Sequence, residues 1–349
     1  MNDKYKKTPA TLKDIASMVG VDASTVSRAI NHPEKVKTDT LQKIQQHIED
    51  LNYHTNLVAR GLQTARSNLL AMIVPNFSNL SFAKITRGFH DALKGTGYEL
   101  IICSSHEDPD EEIELAKSLI RQRVSGIVFV GTVSTEEKDI PFHLLENNTE
   151  VLIIDRDIDL EYVNVFLLDA YHGIKLALDH LLQLGHERIA VITGQERTIQ
   201  SKNRVALIKS ILNEVGVPFS EDNIKEGDWS AAGAWHAMED FLMQDPIPTA
   251  VFAITDTMAM GAIGAAHAAG LRVPEDISVI GFNNEPGSES YNPPLTTIGP
   301  HAYNIGMQAG KVILEGIERN SPKRVVKLFP LDLIIRKSTA AAAKRIRRL

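Results

Sequence analysis

The chain has a single cysteine, Cys103, among its 349 residues. One thiol closes no intramolecular disulfide, so a crosslinked fold is excluded and a reducing cytoplasm is the expected compartment. Its neighbours, Leu100-Ile-Ile-Cys-Ser104, read as a buried strand, which assigns the thiol to packing rather than to redox chemistry. No apolar run approaches the length of a membrane span, and Met1 to Ala10 lack the apolar stretch of a secretory signal. Catalytic signatures are missing as well: there is no Gly-x-Ser-x-Gly elbow, no Walker-type loop and no His-Glu-x-x-His. His172, His180, His186 and His236 lack metal-like pairing and read as surface or capping groups. Neither an enzyme nor a bound metal or cofactor is therefore expected. No repeat with a period of about 20 to 50 residues is evident, and the one biased stretch, Ala340 to Arg348, reads as a solvated, frayed tail.

What is present is a basic head on an acidic body. An apolar fraction of 43% excludes disorder, and the length suits two or three domains. Residues 1–66 carry 10 Lys+Arg against 7 Asp+Glu, whereas the rest of the chain has a net charge of −10, so nucleic acid is expected at the head. Within it, Thr11 to Asn31 reads as a helix-turn-helix. Ala16 is small enough for helices to touch, Gly20 accepts the turn and Val26 closes a miniature core. Asp22 is an N-cap candidate for the second helix, which is expected to expose Ala23, Ser24, Thr25, Ser27 and Arg28 to a major groove. Thr11 and Asn31, at the ends of the segment, complete the candidate DNA contacts in the head. Thr38 to Leu51 has the spacing of an amphipathic third helix. Asn56 to Arg66 follows, about two turns of helix and too short to be stable alone; its candidate contacts are Asn56, Ala59 and Leu62.

From Leu69 onward, short apolar runs alternate with amphipathic helices. Strands are expected at Leu69 to Val74, Glu99 to Cys103, Gly126 to Val130, Val151 to Ile154, Arg188 to Ile192, Ala250 to Ile254 and Ile277 to Ile280. Helices are expected at Phe82 to Lys94, Pro109 to Gln122, Tyr171 to Leu184, Lys202 to Val215, Ala231 to Met243 and Thr257 to Ala269. The alternation predicts an α/β fold with parallel sheets, divided into two lobes, and directs attention to the residues just after each strand. Asp108-Pro-Asp110-Glu111-Glu112 reads as an acidic helix start rather than a metal site.

Several motifs occur together in order: the Thr11 to Asn31 segment, Val58-Ala-Arg-Gly-Leu62, Ile73-Val-Pro-Asn-Phe-Ser-Asn79, Ile154-Asp-Arg156, Leu184-Gly-His-Glu-Arg188, Glu226-Gly-Asp-Trp-Ser230, Thr255-Asp-Thr-Met-Ala-Met-Gly261, Val273 to Phe282 and Pro293-Pro-Leu-Thr-Thr-Ile298. Over essentially its whole length the chain resembles the lactose/galactose repressor family of bacterial transcription regulators. The resemblance implies a helix-turn-helix head over 1–55, a hinge helix over 56–67, a body over 68–339 like a periplasmic sugar-binding protein, and a tail over 340–349. The lobe nearer the DNA is expected at about 69–166 and 299–325, and the outer lobe at about 167–298 and 326–339. It also implies a homodimer, with a tetramer as an alternative, on a palindromic operator. Paired Leu62 side chains would wedge into the minor groove, and a small effector would set the DNA affinity.

The effector cleft is expected to hold Ser81, Phe82, Asp155, Arg204, Trp229, Thr255, Asp256 and Asn283. Their chemistry suits a sugar, sugar acid or sugar phosphate. Trp229 offers a flat face for a sugar ring and Phe82 its counterpart, Arg204 is a forked donor, and Asp155 and Asn283 accept from hydroxyls. Asp256 starts a helix, and capping is favoured over ligand contact for it. Three positions depart from the usual pattern: Asn283-Asn284 stands where many relatives carry Asp, Thr255 where Asn is common, and Ser81 where an aromatic is frequent. Losing a carboxylate at 283 predicts better tolerance of an acidic sugar. A solute-binding protein would need an export signal and no DNA head, the reverse of this chain.

Overall fold

The computed structural model describes residues 10–51, 53, 67–77, 79–131, 149–156, 163–196, 198–319 and 324–343. Contacts divide the chain into two units, Met1–Thr64 and Ala65–Leu349.

The first unit is built on α1 (Leu12–Val19), α2 (Ala23–Asn31) and α3 (Thr38–Asp50). Thr11 begins α1 with a reciprocal cap: Asp14 N donates to Thr11 Oγ1 while Thr11 N donates to the Asp14 carboxylate at 2.8 Å. Gly20 ends it in the left-handed region, φ 72°, where a Cβ would be strained. Ile15, Ala16, Val26, Ala29 and Ile44 form the buried core, one or two residues from each helix at helical spacing. Asp22 holds the N-cap position of α2, although its side chain makes no capping bond.

The second unit contains two sheets. The first, in the order β11-β5-β4-β3-β1-β2, is parallel throughout: β1 (Leu69–Val74), β2 (Glu99–Ser104), β3 (Gly126–Val130), β4 (Glu150–Ile154), β5 (Asn164–Leu168) and β11 (Val326–Phe329). The second has the order β12-β10-β9-β8-β6-β7, with β6 (Ile189–Thr193), β7 (Ile224–Glu226), β8 (Ala250–Ala253), β9 (Ser278–Phe282), β10 (Thr296–Gly299) and an antiparallel β12 (Asp332–Ile334), and its core takes in α6 (Ala170–Gln183) and α8 (Ala231–Leu242). Strand β1 shows how an unbroken apolar run serves two faces. Leu70, Met72 and Val74 join one buried cluster, and Ala71 and Ile73 the other.

The first cluster is closed by α4 (Leu80–Leu93) and α10 (Ala302–Glu318), which cross closely because glycine stands at the contact. A Cβ on Gly88 would overlap the Tyr303 carbonyl, and one on Gly306 would overlap the Ile85 carbonyl. On the other face lies α5 (Pro109–Arg121), whose Asp108 cap accepts from the backbone N–H groups of Asp110 and Glu111. Glu112 of its acidic start is buried and paired with Arg156 at 3.0 Å.

Three expectations change. Strand β11 pairs with β5 in the first sheet, so the last crossing between lobes falls after Phe329 rather than at 325/326. The parallel ladder to Val165–Leu168 claims residues that sequence alone left with the outer lobe. The described start of the tail is not frayed: Ala340 N donates to Ser278 Oγ at 3.0 Å and Ala342 N to the Leu184 carbonyl at 2.8 Å. His186, read as a surface or capping group, is buried beneath it, with Nδ1 3.0 Å from Thr249 Oγ1 and Nε2 2.9 Å from the Ala340 carbonyl.

Gly306→Val is expected to force α4 and α10 apart and to cost about 3 kcal/mol, the upper range for overpacking. Urea unfolding of the variant against the wild type measures it; equal midpoints would refute the close crossing.

Candidate functional site

Both sheets have their strand-order reversal at the strand next to one edge, β1 between β2 and β3 and β6 between β7 and β8. Loops leaving the carboxyl ends there diverge, which opens a crevice. A cavity between the two lobes is lined by Ser81, Phe82 and Asp155 from the first and Arg204, Trp229, Thr255 and Asn283 from the second. These are seven of the eight residues expected from the sequence.

Backbone geometry aims several of them. Asp155 follows β4 with φ 65°, Trp229 follows β7 with φ 58° and Asn283 follows β9 with φ 102°. Left-handed backbone at non-glycine residues is costly and persists where the surroundings fix it. The indole of Trp229 lies directly on the backbone at Gly194, where any side chain would overlap the ring. Arg204 projects from α7 (Ile199–Glu214) and is almost fully buried. Its Nη1 donates to the Ile254 carbonyl at 2.9 Å, and its Cζ stands 3.9 Å from the centre of the Phe282 ring. Asp155 reaches across from the other lobe: its Oδ2 accepts from Gln200 Nε2 at 2.6 Å and lies 3.7 Å from Arg204 Nη2. Burial pushes the Asp155 carboxyl above its ordinary value, and the Arg204 charge opposes that push.

Thr255 caps α9 (Asp256–Ala268) by accepting from Met258 N at 3.2 Å, and it still borders the cavity. Asp256 does not. Its carboxylate points beneath the cleft, where it accepts from Glu285 N at 2.7 Å and from the hydroxyls of Ser288 and Thr297. It braces the loop that carries Asn283 and does not line the cavity. Burial, only partly offset by these donors, pushes its carboxyl up to about 7.

Several lining residues were not anticipated, among them Glu107, Gln200, Thr257 and Glu285. Gln200 lies one helical turn before Arg204, and Glu285 lies two residues after Asn283, so spacing from the expected residues was the available signal. Glu285 is buried and accepts from Thr257 Oγ1 at 2.7 Å and Asn283 Nδ2 at 3.3 Å. Among the described residues, the cavity lining carries carboxyl groups at 107, 155 and 285 and the guanidinium of Arg204. Glu285 places a carboxyl beside Asn283, and burial pushes that carboxyl above its ordinary value.

In the head, Ser24 and Arg28 are exposed on α2, and Thr25 and Ser27 are half-buried. Ala23, expected to be exposed, is half-buried against the head's core. Thr11 is exposed at its cap and Asn31 is the last residue of α2. Asn56, Ala59 and Leu62 lie outside the described residues.

Two family models match the chain, one in each of the two units. Residues 11–56 match the family of bacterial regulatory proteins called the lacI family, and residues 178–339 match the periplasmic binding protein-like domain. The transcriptional repressor PurR of Pasteurella multocida is 34% identical over 331 residues, covering 94% of this chain and 98% of its own. The crystal structure of the Lac repressor dimer bound to operator and the anti-inducer ONPF superposes with a TM-score of 0.84 at 28% identity, over 96% of this chain and 100% of the other. A LacI-family regulator of Enterococcus faecium with bound ribose gives a TM-score of 0.70 at 27% identity, over 79% and 100%. The chain belongs to the lacI family of bacterial regulatory proteins and is a DNA-binding transcription regulator, not an enzyme.

Proposed function

We propose that the protein is a homodimeric repressor of carbohydrate-utilisation genes, released from a palindromic operator when a neutral sugar enters the cleft. One observation carries this reading: an indole, a phenyl ring, a buried guanidinium and several carboxylate and amide acceptors converge on one cavity between lobes. Aromatic faces suit the C–H side of a sugar ring, and acceptors suit its hydroxyls. The surplus of carboxylates disfavours a sugar acid or sugar phosphate, since a second anion beside them would be repelled. The Enterococcus faecium relative, solved with ribose, is consistent with that ligand class. Two heads would read half-sites in adjacent major grooves, and the 56–67 segments, including Leu62, would meet the minor groove between them.

A thermal-shift screen over neutral sugars, sugar acids, sugar phosphates and purines tests the class. A neutral sugar at 100 times its dissociation constant is expected to stabilise the protein by about 2.7 kcal/mol. A purine or an anion as the tightest ligand would overturn the reading.

Calorimetry with the sugar so found addresses the placement. Trp229→Ala is expected to abolish the stacking platform, and Arg204→Ala to weaken binding by about 1.5 to 3 kcal/mol, the range for hydrogen bonds to charged groups. Operator binding should survive in both. Glu285→Gln is expected to improve the ratio of sugar-acid to neutral-sugar affinity, and an unchanged ratio would refute the electrostatic argument.

Selection from randomised duplexes addresses the head. Replacing Ser24 should change which bases are preferred, because an exposed side chain at the start of α2 faces the groove. Arg28→Ala should weaken binding overall. Recovery of one identical site by the wild type and the Ser24 variant would remove Ser24 from base reading.

A further inference from the structure

One tie between the lobes lies outside the effector cavity. Lys84, on α4 of the first lobe, donates from Nζ to the backbone carbonyl of Asn284 in the second, at 2.7 Å. Neither residue lines the cavity, yet each is beside one that does: Lys84 follows Ser81 by one helical turn, and Asn284 follows Asn283 directly. The Asn284 carbonyl is a fixed anchor. Its residue has left-handed backbone, φ 48°. Its side-chain Oδ1 accepts from Arg336 Nη2 at 2.8 Å, and Arg336 Nη1 in turn donates to the Leu295 carbonyl at 2.7 Å. The next residue is held by the buried Asp256 through Glu285 N. The charge of Glu285 lies within electrostatic reach of the Lys84 ammonium, so placing a cation at this seam is favourable. The other polar tie described above, from Asp155 to Gln200 and Arg204, runs between residues that line the cavity, where an effector would compete for the same groups.

We propose that Lys84 is a positioning residue: it latches α4 to the loop bearing Asn283 and so sets the separation of the lobes without touching the effector. This inference rests on the assignment of the cavity as the effector site. The chain that carries this bond superposes on an operator-bound Lac repressor with a TM-score of 0.84, and the proposal is that the latch favours the form that binds DNA. Breaking it shifts the population toward other lobe separations and lowers operator affinity.

Pulsed electron paramagnetic resonance on the full-length protein provides the test. Spin labels are placed through Glu114→Cys in the first lobe and Ala232→Cys in the second, both exposed, on a Cys103→Ser background. Lys84→Met is expected to broaden the inter-lobe distance distribution and shift its mean, whereas Lys84→Arg, which keeps a cationic donor, stays close to the parent. Operator affinity is expected to fall about 5-fold or more in Lys84→Met, the lower end of allosteric couplings, and to recover in Lys84→Arg. Should Lys84→Met not fold, Lys84→Gln, polar but too short to reach, is measured in its place. Identical distance distributions in the parent and the latch-less variant would overturn the proposal. The distances are read without DNA or effector, so failure of the parent to bind DNA would count against the regulator reading alone.

Discussion

The body depends on the way its chain crosses between two sheets. The visits end after Leu168, Gly299 and Phe329, and neither sheet is complete without a segment from far along the sequence. Val326–Phe329 pairs with β5, and Asp332–Ile334, only three residues further on, pairs with β10 of the other sheet. Three residues of extended chain span at most about 11 Å. The lobes are therefore held together at the crossings and free to move chiefly by rotation about them, which is the motion a ligand between them can bias.

On the second lobe, a buried carboxylate organises the wall of the cleft. Removing Asp256 from water is costly, and its three donors come from the loop after β9 and from β10. In return the loop that presents Asn283 and Glu285 is held at its start, at Ser288 and against Thr297. A brace of this kind converts a polar loop into a rigid platform, because a satisfied buried network has one arrangement and a partly satisfied one is penalised. The same platform supplies the carbonyl that Lys84 reaches from the opposite lobe.

Much of this was legible in the sequence where periodicity and chemistry coincide. Strands β1 and β3 were read at their full lengths because each is an apolar run bounded by polar residues. Helix α10 was not read, since Gly306, Gly310 and Gly316 weaken its helical pattern; in three dimensions the first two sit where α4 approaches closely. Strands β5, β11 and β12 are short, and their places depend on pairing with distant residues that local pattern does not reveal. Within the cleft, Trp229 and Asn283, singled out because each follows a strand, both line the cavity. Asp256 misled because a carboxylate after a strand looks the same in sequence whether it faces a ligand or a loop backbone. His186 and Ala340 were misread for a related reason: their partnership joins positions 154 residues apart.

A sugar entering the cleft would exchange bonds more than add them. Asp155 already accepts from Gln200 and faces Arg204 across the lobes, so hydroxyls that engage these groups replace existing partners. Net stabilisation from such an exchange is the small difference between similar terms, as it is for hydrogen bonds traded with water. What would change decisively is the distance between the partners, since a ring placed between Asp155 and the Arg204–Trp229 side would need room. The effector would then act as a spacer on two lobes that are also tied outside the cavity by Lys84 and Asn284. A coupling of about 1 to 3 kcal/mol, ordinary for allosteric proteins, needs no more than a preference for one lobe separation over another.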